Sequence, residues 1–247
     1  MVLVTTTFSQ TLGDYRAQLA LKTCRTAKEH GYQIIVVDGS PSQEFKAALR
    51  ETGAVVIDQV KPGMGQSRRE CFFAGLQTSA QVIVWLEPEK WTLVPLLETS
   101  VHLVYQGNVD MVVPRRRNLD NYPRYQQWSE YAGNWQIGNI LGRHDLDLYI
   151  GPRVMTRAET ERMMSYTGQC GENVYGDNWE ILFIPVLHSL HEGKKILSVL
   201  VDYVHPDEQK IEDTPEMMSK RDKQREDLVS TMDREARRID FPRYAWS

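Results

Sequence analysis

The sequence is short of several things, and each shortage narrows what the chain can be. Its three cysteines, Cys24, Cys71 and Cys170, follow no pairing or zinc-ligand spacing, so a disulfide scaffold is not expected and a reducing compartment suits the chain. Apolar runs such as 34–37 and 82–86 have strand length, far below the roughly 20 residues of a membrane span. Neither sign of charge dominates: 29 Lys+Arg stand against 33 Asp+Glu, a net charge of −4, so no nucleic-acid partner is expected. Met1-Val-Leu-Val-Thr5 has no basic lead and turns polar at once, which predicts no secretory signal and a location in the cytoplasm or on the cytoplasmic face of a membrane. G-x-G-x-x-G is missing after the first apolar run and G-x-x-x-x-G-K-[ST] is missing throughout, which excludes a Rossmann dinucleotide site and a P-loop. There is no internal repeat and no low-complexity segment.

What is present is 247 residues, 41% of them hydrophobic, enough for one sizeable α/β core. Residues 1–113 alternate short apolar strands with helical patterns, the signature of a largely parallel sheet covered by helices. Strands are expected at 2–6, 34–38, 55–57, 82–86 and 111–113. Helices are expected near 13–30, around Phe45 and Leu49, around Cys71 to Leu76, and near 93–105. Residues 114–210 read differently, with an aromatic series, a glycine-rich stretch at 138–151, helices at about 156–165 and 177–192, and a strand at 196–203. Residues 211–247 form a charged tail, in which Thr214 as N-cap and Pro215 at N1 start a helix over 215–238 that packs Leu228, Met232 and Ala236.

In an open α/β sheet, ligands bind beyond the carboxyl ends of the strands. Those ends hold Thr5 to Phe8, Asp38 to Ser40, Lys61 to Arg68 and Glu87 to Glu89, and all are polar. Gly63-Met-Gly65 leads into Gln66-Ser-Arg-Arg69 at a helix start, where free N–H groups and guanidinium favour a phosphate; a plain turn is the alternative. Glu87-Pro-Glu89 places two carboxylates at the end of a buried strand. That arrangement calls for a divalent cation, or for Lys90 to neutralise a solvated turn.

The collinear series Val4-Thr-Thr-Thr-Phe8, Ile35-Val-Val-Asp38-Gly-Ser40, Gly63-Met-Gly-Gln-Ser-Arg68 and Val84-Trp-Leu-Glu87-Pro-Glu89 resembles the nucleotide-binding half of GT-A glycosyltransferases. There the usual forms are V-T-x-F, V-D-D-G-S, G-x-x-x-A-R and L-D-x-D. Pro114-Arg115, Leu148 to Arg157, Asp177-Asn-Trp-Glu180 and the run from Gly193 to His205 are similar to the mannosylglycerate synthase type of that fold. The resemblance spans about residues 2–210. It implies a single GT-A-like domain with a mixed, mostly parallel sheet flanked by helices: 1–113 is the nucleotide half and 114–210 the acceptor half.

Carried over residue by residue, the resemblance implies donor contacts from Thr5, Phe8, Asp38, Gln66 and Arg68. Glu87, Glu89 and His205 would hold Mn²⁺ or Mg²⁺, and Arg115, Gly151 and Trp179 would meet the acceptor. Glutamate for aspartate lengthens the acidic motif by a methylene and loosens a small cation site; an ordinary surface role is the alternative for His205. Asp177 and Glu180 lie three apart at an expected helix start, which suits an acceptor-side base or orienter; helix capping is the alternative.

The implied reaction moves a hexosyl unit from a GDP- or UDP-sugar, with GDP-mannose as the nearest guess, to a small or lipid-linked hydroxyl acceptor. A catalytically silent GT-A-like scaffold and a sugar-phosphate nucleotidyltransferase are the rival readings. The second lacks its glycine-rich arginine signature after the first strand.

Tyr122, Tyr125, Trp128, Tyr131 and Trp135 recur every three or four residues, one face of a helix. Such a face is expected to be core or a contact between copies in a homo-oligomer, with a sugar-stacking platform as the alternative. Between Lys90 and Lys194 there is no lysine, and eight arginines supply the positive charge. They suit an anionic acceptor or internal pairing with Asp110, Asp120, Asp145 and Asp147.

Overall fold

The central strands are continuous apolar runs because both faces of a parallel sheet are covered. In the computed structural model, which describes residues 1–210 and 214–242, β1 (Val2–Thr7), β2 (Gln33–Asp38), β3 (Val55–Asp58) and β4 (Val82–Trp85) pair in parallel. The connecting helices are α1 (Tyr15–Glu29), α2 (Gln43–Glu51) and α3 (Met64–Leu76). Ser42 caps α2 by accepting from the Phe45 N–H at 3.2 Å, and Phe45 and Leu49 are fully buried beneath it.

After α4 (Glu98–Tyr105), β5 (Met111–Arg116), α5 (Arg124–Leu141), β6 (Arg153–Thr156) and α6 (Arg157–Ser165), a small hairpin is formed by β7 (Gln169–Cys170) and β8 (Asn173–Val174). Then come α7 (Ile184–His191), β9 (Ile196–Val201) and α8 (Pro215–Arg238). The sheet order is β3-β2-β1-β4-β6-β5-β9, and β6 runs antiparallel to both neighbours. The sheet is therefore mixed and mostly parallel, as expected.

Register fixes what shares an edge: Thr7 stands opposite Asp38, and Asp38 opposite Asp58. β5 and β9 point the same way as β1 and β4, so the carboxyl end of Arg115 to Arg116 faces the same rim.

Two helices differ from the sequence expectation, and proline explains both. The stretch near 93–105 is a 3₁₀ helix at Trp91–Leu96, containing Pro95, followed by α4. The helix expected over 177–192 is a 3₁₀ turn at Glu180–Leu182 followed by α7, with Pro185 in its first turn. Proline has no N–H to give to an interior helical hydrogen bond, so Pro95 stays in the 3₁₀ segment and Pro185 in the first turn of α7, and neither lies in the interior of an α-helix.

α8 begins as expected, with the Thr214 hydroxyl accepting from the Met217 N–H and Leu228, Met232 and Ala236 buried. Residues 211–213 and the tail from 243 onward lie outside the described residues. Among the described residues no helix is long and apolar enough to cross a membrane.

Candidate functional site

At the ends of β1 and β2 the side chains form one network. Asp38 Oδ1 accepts from the Thr7 hydroxyl at 2.6 Å and the Ser40 hydroxyl at 2.5 Å, and Ser40 in turn accepts from the Ser9 N–H at 2.8 Å. Asp38 Oδ2 is buried with no hydrogen bond, and Lys46 Nζ stands 3.8 Å away. Lys46 is therefore its ion-pair partner, and the oxygen keeps an unused hydrogen-bond acceptor position at the β1–β2 rim. Phe8, beside this network, is 62% exposed. Thr5, by contrast, is buried; its hydroxyl has no partner and its carbonyl lies 2.9 Å from Cys71 Sγ.

The acidic turn after β4 is pinned from below, because the Thr23 hydroxyl donates to the Pro88 carbonyl at 2.5 Å. The Glu87 carboxylate reaches over Gly151, where an added Cβ would sit 1.6 Å from Glu87 Oε1. Gly151 is thus required twice, for this close approach and for its φ of +93°. Burial raises Glu87 above the usual carboxylate range; Lys90 opposes the rise and Glu89 adds to it. Glu87 Oε2 is buried without a hydrogen-bond partner. A buried, unpartnered oxygen beside a second carboxylate fits a hard divalent cation.

Arg68 is not an open phosphate anchor. It is 3% exposed, lies over the rings of Trp85 and Trp179 at 5.3 and 4.6 Å, and donates to the Asn178 carbonyl at 2.5 Å. Burial lowers its guanidinium to about 10, while Glu87, Glu180 and Glu89 pull the other way. It acts as a buried counter-charge behind the acidic turn.

Gln66 donates to Glu70 at 3.0 Å and accepts from Arg69 at 3.1 Å. Glu70 also holds the Val60 and Lys61 N–H groups, so Gln66 belongs to the frame of the glycine loop.

Asp177 is neither helix cap nor free base. Both its oxygens accept from Arg69, at 2.6 and 2.7 Å, and its carbonyl accepts from the Gly65 N–H at 3.0 Å. Gly65 is glycine because a Cβ there would lie 2.1 Å from Asp177 Oδ1. Glu180 is buried and accepts from the Asn178 N–H at 3.0 Å. The shared α-helix face expected of this pair does not exist: Asp177 sits on a loop strapped to α3, and Glu180 opens the 3₁₀ turn.

Glu87, Glu89 and His205 are not gathered into one ligand set. His205 stacks on Tyr122 with ring centroids 4.0 Å apart, and both its nitrogens are buried and unpartnered. Burial and then the nearby Lys90 charge push its ring down to about 4. The Thr92 hydroxyl fastens this segment to the turn after Lys90 by donating to the Val204 carbonyl at 2.6 Å.

Among the described residues the trio with ligand atoms within 4.8 Å of one another is Cys170, His188 and Glu235. There Arg238, Tyr175 and His188 already satisfy Glu235, and burial raises the Cys170 thiol to about 11.

The His205 ring gives a stability test. Its folded pKa lies below the ordinary 6.5, so the unfolded chain takes up a proton that the folded ring refuses. Stability from this residue is present above about pH 6.5 and is lost as pH falls toward 4. Melting curves across that window should decline more steeply for the wild type than for His205→Phe, which keeps the stack on Tyr122; equal slopes would contradict the assignment.

No family model and no curated protein matches the sequence. Solved structures do. Glucosyl-3-phosphoglycerate synthase from Mycobacterium tuberculosis with phosphoglyceric acid superposes with a TM-score of 0.63 at 14% identity, covering 98% of this chain and 81% of that one. The same enzyme with Mn²⁺, UDP and phosphoglyceric acid gives 0.63 at 14% identity, over 98% and 79%. With Mn²⁺, UDP-glucose and phosphoglyceric acid it gives 0.61 at 14%, over 98% and 80%.

The chain has the GT-A fold.

Several residues take roles that the sequence pattern does not announce. Thr7 and Lys46 hold or flank Asp38, Arg69 locks Asp177, and Tyr122 carries His205. Arg153 lies in the Leu148 to Arg157 stretch. It is fully buried and donates to the carbonyls of Leu148, Gly151, Pro152 and Leu182, fixing the turn that meets Glu87. An arginine next to Gly-Pro, inside an apolar strand, was the available signal.

Proposed function

We propose that the chain is a hexosyltransferase that uses a nucleoside diphosphate sugar, a uridine one, as donor and an anionic hydroxyl compound as acceptor. The observation that carries this reading is the open oxygen of buried Asp38, standing on a GT-A rim with the Glu87–Gly151 contact. Phe8 offers an exposed ring for the base, and Asp38 Oδ2 accepts from base or ribose. Uridine is preferred to the guanosine of GDP-mannose because the neighbouring enzyme was crystallised with UDP and UDP-glucose.

Glu87 and Glu89 would hold a Mn²⁺ or Mg²⁺ ion, as the neighbour's crystals with either ion suggest. When bound, such a cation offsets charge on the departing diphosphate. His205, whose ring nitrogens have no partner, joins as a third ligand only if it comes within reach of that ion.

Buried Arg68 stands as a positive charge behind the acidic turn. Glu180 is the acceptor-side carboxylate, and Asp177, engaged by Arg69, is a positioning residue that sets the loop bearing Trp179 and Glu180. Arg115 and the Gly151 turn complete the acceptor side.

Titration calorimetry tests the donor half. UDP should bind the wild type, more tightly with Mn²⁺ than without, and Asp38→Ala should weaken it about tenfold or more, the loss of a charge-assisted hydrogen bond. Failure of UDP and GDP alike to bind would refute the reading.

A further inference from the structure

Tyr122 precedes α5 and is buried in the core, whereas the later rings of the aromatic series are not core. Trp128, Tyr131 and Trp135 are 52%, 67% and 53% exposed and line a cavity of about 690 Å³ together with Arg115, Arg117 and Arg124. Two of the rings are braced by neighbours: Trp128 by Arg225, 4.6 Å from its centroid, and Trp135 by His144, with centroids also 4.6 Å apart. Bracing holds the rings ready before any ligand arrives.

Seven residues separate Trp128 from Trp135, roughly 10 Å along the helix axis. The platform is longer than one sugar ring. Among the described residues the side chains of Arg115 and Arg124 make no hydrogen bond or ion pair, whereas Arg117 is paired with Asp202 at 2.5 Å. Two free guanidinium forks therefore stand at the edge of an aromatic floor, a combination that suits a carboxylate or phosphate carried on a ring.

Two residues of the cavity wall link it to elements of the site described above. Its wall residue Asp147 lies four positions before Gly151, which meets Glu87, and buried Arg116 stands 5.1 Å from the ring centre of Tyr122, the residue stacked on His205. Its size falls in the range of sites for drug-sized ligands. A three-carbon acid such as the neighbour's phosphoglycerate would leave the aromatic floor bare. The rest of the lining includes Asn118, Gln127 and Asn134 but few aliphatic side chains, which favours hydroxyl-rich rings over an acyl chain.

We infer that this cavity is a distal acceptor site and that the acceptor is an anionic glycan of at least two rings. Its rings stack on Trp128, Tyr131 and Trp135, and its carboxylate or phosphate meets Arg115 and Arg124. The inference rests on the glycosyltransferase reading, yet its test needs no turnover. Intrinsic tryptophan fluorescence is titrated with a uronic-acid disaccharide, a phosphorylated disaccharide, neutral cellobiose and 3-phosphoglycerate, while UDP binding is followed separately by calorimetry.

At least one charged disaccharide should shift the emission and bind about tenfold tighter than cellobiose, and which one does so tells carboxylate from phosphate. Trp128→Ala and Arg124→Gln should each weaken it about tenfold and leave UDP affinity unchanged. The inference is overturned if no disaccharide binds, if both variants bind as the wild type does, or if 3-phosphoglycerate binds as tightly as the charged disaccharides. A dimer in sedimentation that Tyr131→Glu dissolves would also overturn it, because the face would then be an interface between copies. Loss of UDP binding alone, with saccharide binding kept, strikes the proposed function rather than this cavity.

Discussion

Glu87→Gln should leave the protein folded, raise its melting temperature at pH 7, and lower Mn²⁺-supported transfer by about 100-fold or more. The stability gain follows from the raised carboxyl: burial disfavours the ionised form in the folded state. Above the ordinary carboxylate pKa this costs stability, and the cost vanishes as pH falls and the group protonates. A neutral isostere removes it, so the gain should fade near pH 4. The activity loss follows from the same charge, because a group held against its preference is there to meet a cation, and one lost electrostatic contact to a transition state costs about 100- to 1000-fold.

Gly151→Ala is the companion variant. Its Cβ would overlap the Glu87 carboxylate and strain a φ of +93°, so it should lose transfer while also losing stability. Thermal melts and turnover of the two variants separate the roles; a Glu87→Gln protein that turns over normally would refute the acidic turn as the cation site.

The parallel half of this fold was legible because its strands are continuous apolar runs ended by polar residues, and the pattern placed Asp38 and Glu87 on one rim. The antiparallel β6 carried no such mark: Arg153-Val-Met-Thr156 is too short, and its arginine is buried only because four carbonyls converge on it. Asp177 was misread for a related reason. Its spacing to Glu180 fits a helix start, but Pro185 sets that start seven or more residues on, and the partner that takes the Asp177 carboxylate, Arg69, lies 108 residues away. Spacing reports local periodicity; it is silent about long-range ion pairs.

The aromatic face shows a different limit. Period alone finds the helix from Tyr125 on but not Tyr122, which precedes it, and period does not tell a core stripe from a solvent-facing platform; here the arginines beside it decide.

The same arginines divide into free and locked ones, and Arg116 is the most tightly locked. Arg116→Met should cost about 3–5 kcal/mol, the usual effect of breaking a buried ion pair from one side. The Arg116 side chain binds both oxygens of Asp147 at 2.7 Å and also pairs with Glu130; its own N–H reaches Asp147 at 3.2 Å. Asn134 and Gln126 hold the same two carboxylates, at 2.8 and 2.7 Å. The network joins β5 to α5 and to the turn leading to Gly151, so methionine would leave two buried carboxylates facing each other without a counter-ion.

For a chain of this size that corresponds to a fall in melting temperature of about 6–20 °C. The pH dependence gives the decisive signature. In the wild type, burial would raise Asp147, but Arg116 outweighs it and holds the group below the carboxylate range, so its stability is present at neutral pH and lost as pH falls through that lowered value. In Arg116→Met the pull of Arg116 is gone and burial, the largest influence on Asp147, is opposed only by the Asn134 hydrogen bond, so the sign should reverse: protonation then relieves the folded state. The stability gap between variant and wild type should accordingly narrow on going from pH 7.5 to pH 5, and a gap independent of pH would mean that packing of the arginine stem, rather than its charge, holds this wall.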